Sequence, residues 1–253
     1  MVLPFVRTVI HREVVGSTSD LARELVQAGG VELPLLGRAD RQTAGRGRGS
    51  NSWWSDEGSL LFTLALDPRA HGLRTEHEPR LALAAAVAVI EALEEAGSVP
   101  AGMLGLRWPN DIEAAGRKLG GLLPERVETD AGPRLLLGIG LNVATRLEAA
   151  PEPIRRMATS VAALAGRSEI EATMLLGPIL ARLEGVISRL ARDDPGLVAQ
   201  WNALDTLAGG PVRVDLGGRL ITGLGQGIDP RGGLILATEG GLLHLYGGRV
   251  LRE

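Results

Sequence analysis

Apolar and polar positions change their period several times along this chain, and each change predicts an element. A first strand is expected from Thr8 to Val15. It leads through Ser17-Thr18-Ser19 into a helix over Asp20 to Gln27, where Leu21, Ala22, Leu25 and Ala28 recur at helical spacing and Gly29-Gly30 ends the run. The hydroxyl group of residues is a natural N-cap, and a helix N-terminus is also an anion site. Leu33 to Ala39 reads as a strand, and Ser59 to Asp67 (SLLFTLALD) as a strand buried on both faces. Asp67 to Arg80 is polar and loop-like, after which Leu81 to Ala96 is an alanine-rich helix stopped by Gly97. Leu104 to Asp111 (LGLRWPND) is a short strand halted by Pro109, with Asn110-Asp111 as a turn pair. Ala115-Gly116 turns the chain again, and Lys118 to Leu123 resumes as a strand. Leu135 to Val143 (LLLGIGLNV) holds two glycines, which imply that a ligand approaches the backbone closely. Ser160 to Leu164 and Glu169 to Leu190 are helical, the second with a long apolar stripe, and a shorter segment reaches Trp201.

Strands outnumber helices and several are joined by tight turns. That argues for an α+β fold: a mixed or antiparallel sheet with helices packed on one face. From Gly209 the pattern changes to short apolar strands separated by GG, DPRGG, EGG and GG, the signal of a small antiparallel barrel or meander. Two domains are therefore expected, 1–205 and 206–253. The second, at roughly 45 residues, buries too little to stand alone and should lean on the first.

Composition narrows the function. A hydrophobic share of 45% supports a real core, and a net charge of −3 gives no reason to coat DNA, RNA or an anionic membrane. The absence of cysteine removes disulfides, thiolate metal sites and a cysteine nucleophile together. The four histidines are scattered without metal-ligand spacing, so no metal-binding residue is named. The N-terminus carries Arg7, His11 and Arg12 where a signal peptide would be apolar, and the longest apolar run, Leu81 to Ile90, is too short to span a bilayer. A cytoplasmic protein without a membrane partner is expected.

The chemistry concentrates in Gln42 to Trp54, QTAGRGRGSNSWW. Its glycines allow tight turns and close backbone approach. Arg46 and Arg48, two apart, would emerge on one side of an extended loop as permanent cations whose planar forks suit carboxylate or phosphate. Trp53 and Trp54 add an apolar wall, so the stretch suits a small organic acid. An arginine–glycine segment can also bind RNA, but this one is short, unrepeated and flanked by apolar strands. RWPND, RKLGG and GIGLNV carry further residues that a core would not ask for. Asp111 alone is a turn residue and Lys118 alone a surface lysine; their joint occurrence with the loop changes that reading.

Taken together, the serine/threonine pair, QTAGRGRG followed by tryptophan, RWPND, RKLGG, GIGLNV and the small C-terminal β unit closely resemble the biotin–protein ligase family over nearly the whole chain. The resemblance implies a class II synthetase-like catalytic domain followed by an SH3-like β-barrel. It implies an enzyme that forms biotinyl-5′-AMP from biotin and ATP with Mg²⁺, then transfers biotin to a lysine of a biotin carboxyl carrier domain. Ser17, Thr18, Gln42 and backbone near Gly121 would hold the biotin ring. Gly45, Arg46 and Arg48 would close over the carboxylate and phosphate, with Trp53 covering the adenylate. Lys118 would contact the carboxylate and the attacked phosphate. Asn110 and Asn142 fall on the nucleotide side, and Arg107 and Asp111 occupy the basic and acidic positions of the family's (K/R)WPND strand.

Three departures stand out. Ser19 replaces the usual asparagine, Arg107 the commoner lysine, and Pro124 a strand residue with a free N–H, which implies a lost ladder bond or a strand edge. No winged-helix segment precedes the first strand, so DNA regulation is not expected. Monomer and homodimer both stay open. The rivals are a lipoate or octanoate protein ligase, and a non-catalytic biotin sensor, for which retention of Arg46, Arg48, Lys118 and Asp111 would serve no purpose.

Overall fold

The structure, a computed structural model, describes Leu3, residues 5–167 and residues 170–252. It is α+β. Strand β1 (Thr8–Val15) is followed by helix α1 (Thr18–Ala28), and β2 (Leu35–Gln42) returns parallel to β1. Strand β3 (Ser59–Leu66) is buried at every position: it lies inside the sheet, between β2 and the strand Gly132–Asn142, and both its faces are covered. The polar stretch after it is not simply loop: Arg69–His71 and Thr75–Arg80 form short 3₁₀ turns before helix α2 (Leu81–Glu95).

The LGLRWPND segment does not continue as one strand. It stops at Arg107 as β4 (Gly105–Arg107), and Asp111 instead opens β5 (Asp111–Ala114), paired back on β4. The predicted turn follows, with Ala115 and Gly116 at φ 49° and 74°. Strand β6 (Arg117–Thr129) runs well past Leu123 because β7 (Gly132–Asn142) pairs with it down to Thr129. Pro124 sits opposite Leu137 of β7, whereas β5 covers β6 only from Arg117 to Gly121. The flank of β6 beyond Gly121 is thus a local edge, where a missing N–H breaks no ladder.

The seven strands align in the order β1-β2-β3-β7-β6-β5-β4, antiparallel except for β1 and β2. After β7 come α3 (Glu152–Met157), α4 (Val161–Ala165), a 3₁₀ turn at Ala172–Leu175, α5 (Leu176–Ala191) and α6 (Pro195–Leu204). The helix expected from Glu169 therefore begins later; Ser168 and Glu169 lie outside the described residues.

The helices do not share one face of the sheet, as the sequence suggested. Helices α2 and α5 pack in one large cluster with Phe62, Leu64, Leu137, Ile139 and Leu141. Helix α1 lies on the opposite face, where Ala22 and Val26 meet Leu35, Ala65 and Leu136. The period of two along each strand makes this arrangement possible, since both faces of β3 and β7 are apolar.

The C-terminal strands β8 (Pro211–Asp215), β9 (Leu220–Ile228), β10 (Leu234–Thr238), β11 (Gly241–Leu245) and β12 (Arg249–Val250) form an antiparallel sheet in the order β11-β10-β9-β8-β12. Val212, Val214, Ile228, Leu234, Leu236 and Leu245 belong to the same buried cluster as α2. Polar seams add to this: the Trp108 indole donates to the Gly232 carbonyl at 2.9 Å, and the Asn202 amide bonds both N and O of Ile228 at 2.7 and 2.8 Å.

Candidate active site

On the α1 face of the sheet, Gly121 of β6 stands opposite Gly140 of β7, and Gly138 follows two residues along. Three missing side chains leave a bare patch of backbone, a floor. An added Cβ at Gly140 would lie 2.7 Å from Cε2 of Trp53, and one at Gly138 would lie 2.8 Å from Oγ of Ser19. The protein's own Trp53 indole and Ser19 hydroxyl therefore lie directly against the glycines of β7. At Gly121 a Cβ would meet Trp53 Cζ3 at 3.3 Å and Lys118 Nζ at 3.4 Å, which places the indole and the ammonium over the same patch.

One wall of this floor is the start of α1. Ser17 is its N-cap, and its hydroxyl accepts from the Ser19 N–H at 3.2 Å. The carboxamide oxygen of Gln42, at the end of β2, accepts from the Thr18 N–H at 2.7 Å and from its hydroxyl at 3.1 Å. Thr63 donates to the Thr18 hydroxyl at 2.9 Å and lies 3.2 Å from that of Ser19. With the Gln42 oxygen engaged, its Nε2 remains a donor that this wall can offer, beside the Ser17 hydroxyl, which otherwise only accepts. Thr63 was missed from the sequence, although it interrupts an otherwise apolar run from Leu60 to Leu66.

Residues Gly45 to Trp53 form a small hairpin, with the Trp53 N–H on the Gly45 carbonyl and the Gly47 N–H on the Asn51 carbonyl, both at 2.8 Å. A Cβ on Gly45 would lie 2.5 Å from the Trp53 carbonyl oxygen, so only glycine fits there. The two loop arginines are engaged with the protein. Arg46 places both Nη atoms on the Glu125 carboxylate at 2.9 Å and one of them 3.0 Å from Asp20. Arg48 donates from Nη1 to the Gly248 carbonyl at 2.5 Å, and burial lowers its pKa from the usual guanidinium value.

The cation over the floor is Lys118. Its ammonium bonds Asp111 at 2.6 Å and lies 5.4 Å from the Trp53 ring centroid, within cation–π reach. On its other oxygen Asp111 faces Arg252 at 3.5 Å, and Arg252 also donates to buried Glu113 at 2.9 Å. Arg107 lies at the seam with the C-terminal sheet, donating to the Leu251 carbonyl at 3.0 Å and 3.8 Å from Glu113; burial lowers its pKa. The amides of Asn110 and Asn142 bind the carbonyls of Leu122 at 2.8 Å and Thr159 at 3.1 Å, where they fix backbone around the floor. The structure thus gathers Ser17, Thr18, Gln42, Gly45, Trp53, Lys118, Asp111 and Gly121, while Arg46, Arg48 and Arg107 point to protein partners. Glu113, Glu125 and Arg252 carry no local signal that could have singled them out.

A ligand between the hydroxyl wall and Lys118 would meet hydrogen-bonding groups, then an aromatic slab, then a cation. That order suits a neutral polar ring joined to a carboxylate. Among the described residues, the one cluster of acidic and histidine side chains close enough to share an ion is Glu76, His77 and Asp193. Arg74 and Arg80 already sit on Asp193 at 2.6 and 2.7 Å and hold its pKa down at about 2, so the cluster is an ion-pair knot rather than a metal cage. No described helix is long and apolar enough to cross a membrane.

Comparison with known proteins agrees with this architecture. Residues 12–142 match the biotin/lipoate A/B protein ligase family, and residues 208–252 match the biotin protein ligase C terminal domain. The biotin–[acetyl-CoA-carboxylase] ligase of Mycobacterium tuberculosis is 33% identical over 238 residues, 93% of this chain and 85% of that protein. The bifunctional ligase/repressor BirA of Bacillus subtilis is 31% identical over 239 residues, 94% of this chain and 71% of that protein. Among solved structures, the biotin protein ligase from Aquifex aeolicus in complex with biotin and ATP superposes with a TM-score of 0.81 at 29% identity, covering 97% of this chain and 98% of that one. The chain belongs to the biotin/lipoate A/B protein ligase family.

Proposed function

We propose that this protein is an ATP-dependent biotin–protein ligase, which makes biotinyl-5′-AMP and passes the biotinyl group to a lysine of a biotin carboxyl carrier domain. The observation that carries this reading is the glycine floor bounded by the Ser17–Thr18–Gln42 wall and by Lys118. The C-terminal match and the relatives named for biotin favour this acid over lipoate or octanoate. In the first step a carboxylate oxygen of biotin attacks the α-phosphorus of ATP and pyrophosphate leaves. Each like-charge pair brought to about 4 Å costs about 4 kcal/mol at an effective dielectric of about 20, so cations must converge. Lys118 would meet the carboxylate, Mg²⁺ would enter on the ATP phosphates, and Arg48 would join them from the loop. Trp53 would cover the adenylate and exclude water. In the second step the carrier amine attacks the mixed anhydride, AMP leaves, and the amine proton goes to Asp111.

The direct test is exchange of pyrophosphate into ATP with Mg²⁺, with biotin, lipoate and octanoate as parallel acids. Exchange with biotin alone is expected; exchange with either of the others instead would reassign the substrate, and none would restore the sensor reading. The Asp111 role predicts that Asp111→Asn keeps exchange within a few-fold while slowing transfer to a carrier domain by about 100-fold or more. Transfer at the native rate would remove Asp111 from that step.

A further inference from the structure

We propose that Glu125 is a positioning residue for this reaction, acting through Arg46, and that Arg46 serves the site as a peg for the loop rather than as a free clamp on the substrate. The inference rests on the ligase reading above. Glu125 lies on β6, four residues past Gly121, and so on the same face of the sheet as the floor. Its side chain is only 18% exposed and receives the Arg46 fork in two parallel bonds, the geometry that gives an arginine–carboxylate pair its directional specificity. Asp20 of α1 meets the same guanidinium, and Arg23 of α1 donates to Glu125 Oε1 at 2.8 Å beside Arg46 Nη1, so the fork is held from the helix and the strand at once.

Arg46 also follows Gly45 at the start of the hairpin whose far end is Trp53. Gly45, Arg46 and Trp53 are tied together by the Trp53 N–H bond to Gly45 and by the bridge between Arg46 and Ser52. Fixing the Arg46 fork on β6 therefore fixes where the Trp53 indole comes down on Gly121 and Gly140. A free clamp would need to leave Glu125, stranding a largely buried carboxylate with Arg23 as its remaining partner. The guanidinium Nε is buried and has no partner among the described residues. Whatever it meets during turnover, its direction is set by the two bonds to Glu125.

The test is a double-variant cycle of Glu125→Gln and Arg46→Met in the full chain, read by biotin-dependent pyrophosphate exchange and by proteolysis within residues 46–52. Glu125→Gln is expected to raise half-saturating biotin about tenfold, with the maximal rate changed less than about threefold, and to speed loop cleavage. In the Arg46→Met background the same change should have no further effect on either readout. Arg23→Met, which breaks only the outer bond, should stay within about twofold of the native values. If Glu125→Gln lowers folded yield, Glu125→Asp keeps the charge but withdraws it by one methylene and should act in the same direction. Multiplying effects in the double variant, or a neutral Glu125→Gln, would overturn the proposal. Absence of exchange in the unmodified protein would instead sink the ligase reading, and the cleavage rates would still decide whether Glu125 pins the loop.

Discussion

At the scale of single residues, the site depends on side chains that are absent as much as on those present. Gly140 is the sharpest case. Its φ is not in the left-handed region, so the requirement for glycine comes from the indole lying on it and not from backbone strain. Gly140→Ala would place a methyl 2.7 Å from Trp53 Cε2 and 2.9 Å from its Nε1, so the ring must lift. We expect a stability loss of about 1–3 kcal/mol, as for other overpacked positions. Half-saturating biotin should rise at least tenfold and the tryptophan emission should shift. Unchanged emission together with unchanged biotin dependence would show that the indole does not rest on this floor when the protein works. The joint motifs and the family resemblance they carry named Gly121, Trp53, Lys118 and the Ser17–Thr18 pair as candidates. They could not say that Trp53 and Lys118 share one patch, because that requires the loop and β6 to fold onto each other.

At the scale of elements, periodicity located most strands and helices, and it erred where tertiary pairing extends or interrupts a pattern. Thr8–Val15 is a strand from end to end as read, and α1 begins at the N-cap that its hydroxyl residues announced. Strand β6 outran its apolar stretch because β7 supplies a full ladder beside it, a partner that lies outside the window from which the strand was read. LGLRWPND split in two because its last residue pairs with β6, across from Gly121. The placement of α1 opposite α2 was not legible either. A strand apolar at every position says that both faces are covered, but not by which helix. Within the Gln42–Trp54 segment, Gln42 ends β2 and Gly45–Trp53 folds into a hairpin over the sheet, a backbone form that its spacing did not announce.

At the scale of the whole molecule, the C-terminal sheet joins the catalytic part through charge as well as apolar contact. Asp205, at the end of α6, pairs in a bridge with Leu106 of β4 and lies beside the seam that holds Arg107, Glu113 and Arg252. Burial pushes its carboxyl up to about 6, and one of its oxygens has no partner among the described residues. A carboxyl whose folded pKa is raised binds its proton more tightly in the native state. Stability should therefore fall as pH rises from about 4 to about 6, and the penalty is fully present above that window. Asp205→Asn keeps the acceptor for the Leu207 N–H and removes the buried charge. It is expected to raise stability by about 1–2 kcal/mol at pH 8, with the difference vanishing by about pH 4. Parallel thermal melts across that range would check it; equal melting temperatures at pH 8 would mean that the charge is compensated.

The sequence by itself determined most of the elements, the α+β class and, through its motifs, the family. Those depend on spacing along the chain, which sets backbone period and decides which neighbours share a face. Only the tertiary structure decided what each long charged side chain does. Arg46 meets Glu125 across 79 residues and Arg107 meets Leu251 across 144, and neither choice leaves a trace in local pattern. A guanidinium on a flexible stem takes the best oxygen that folding brings within reach. Its partner is therefore fixed by the assembled sheet and helices, after every local preference has already been spent.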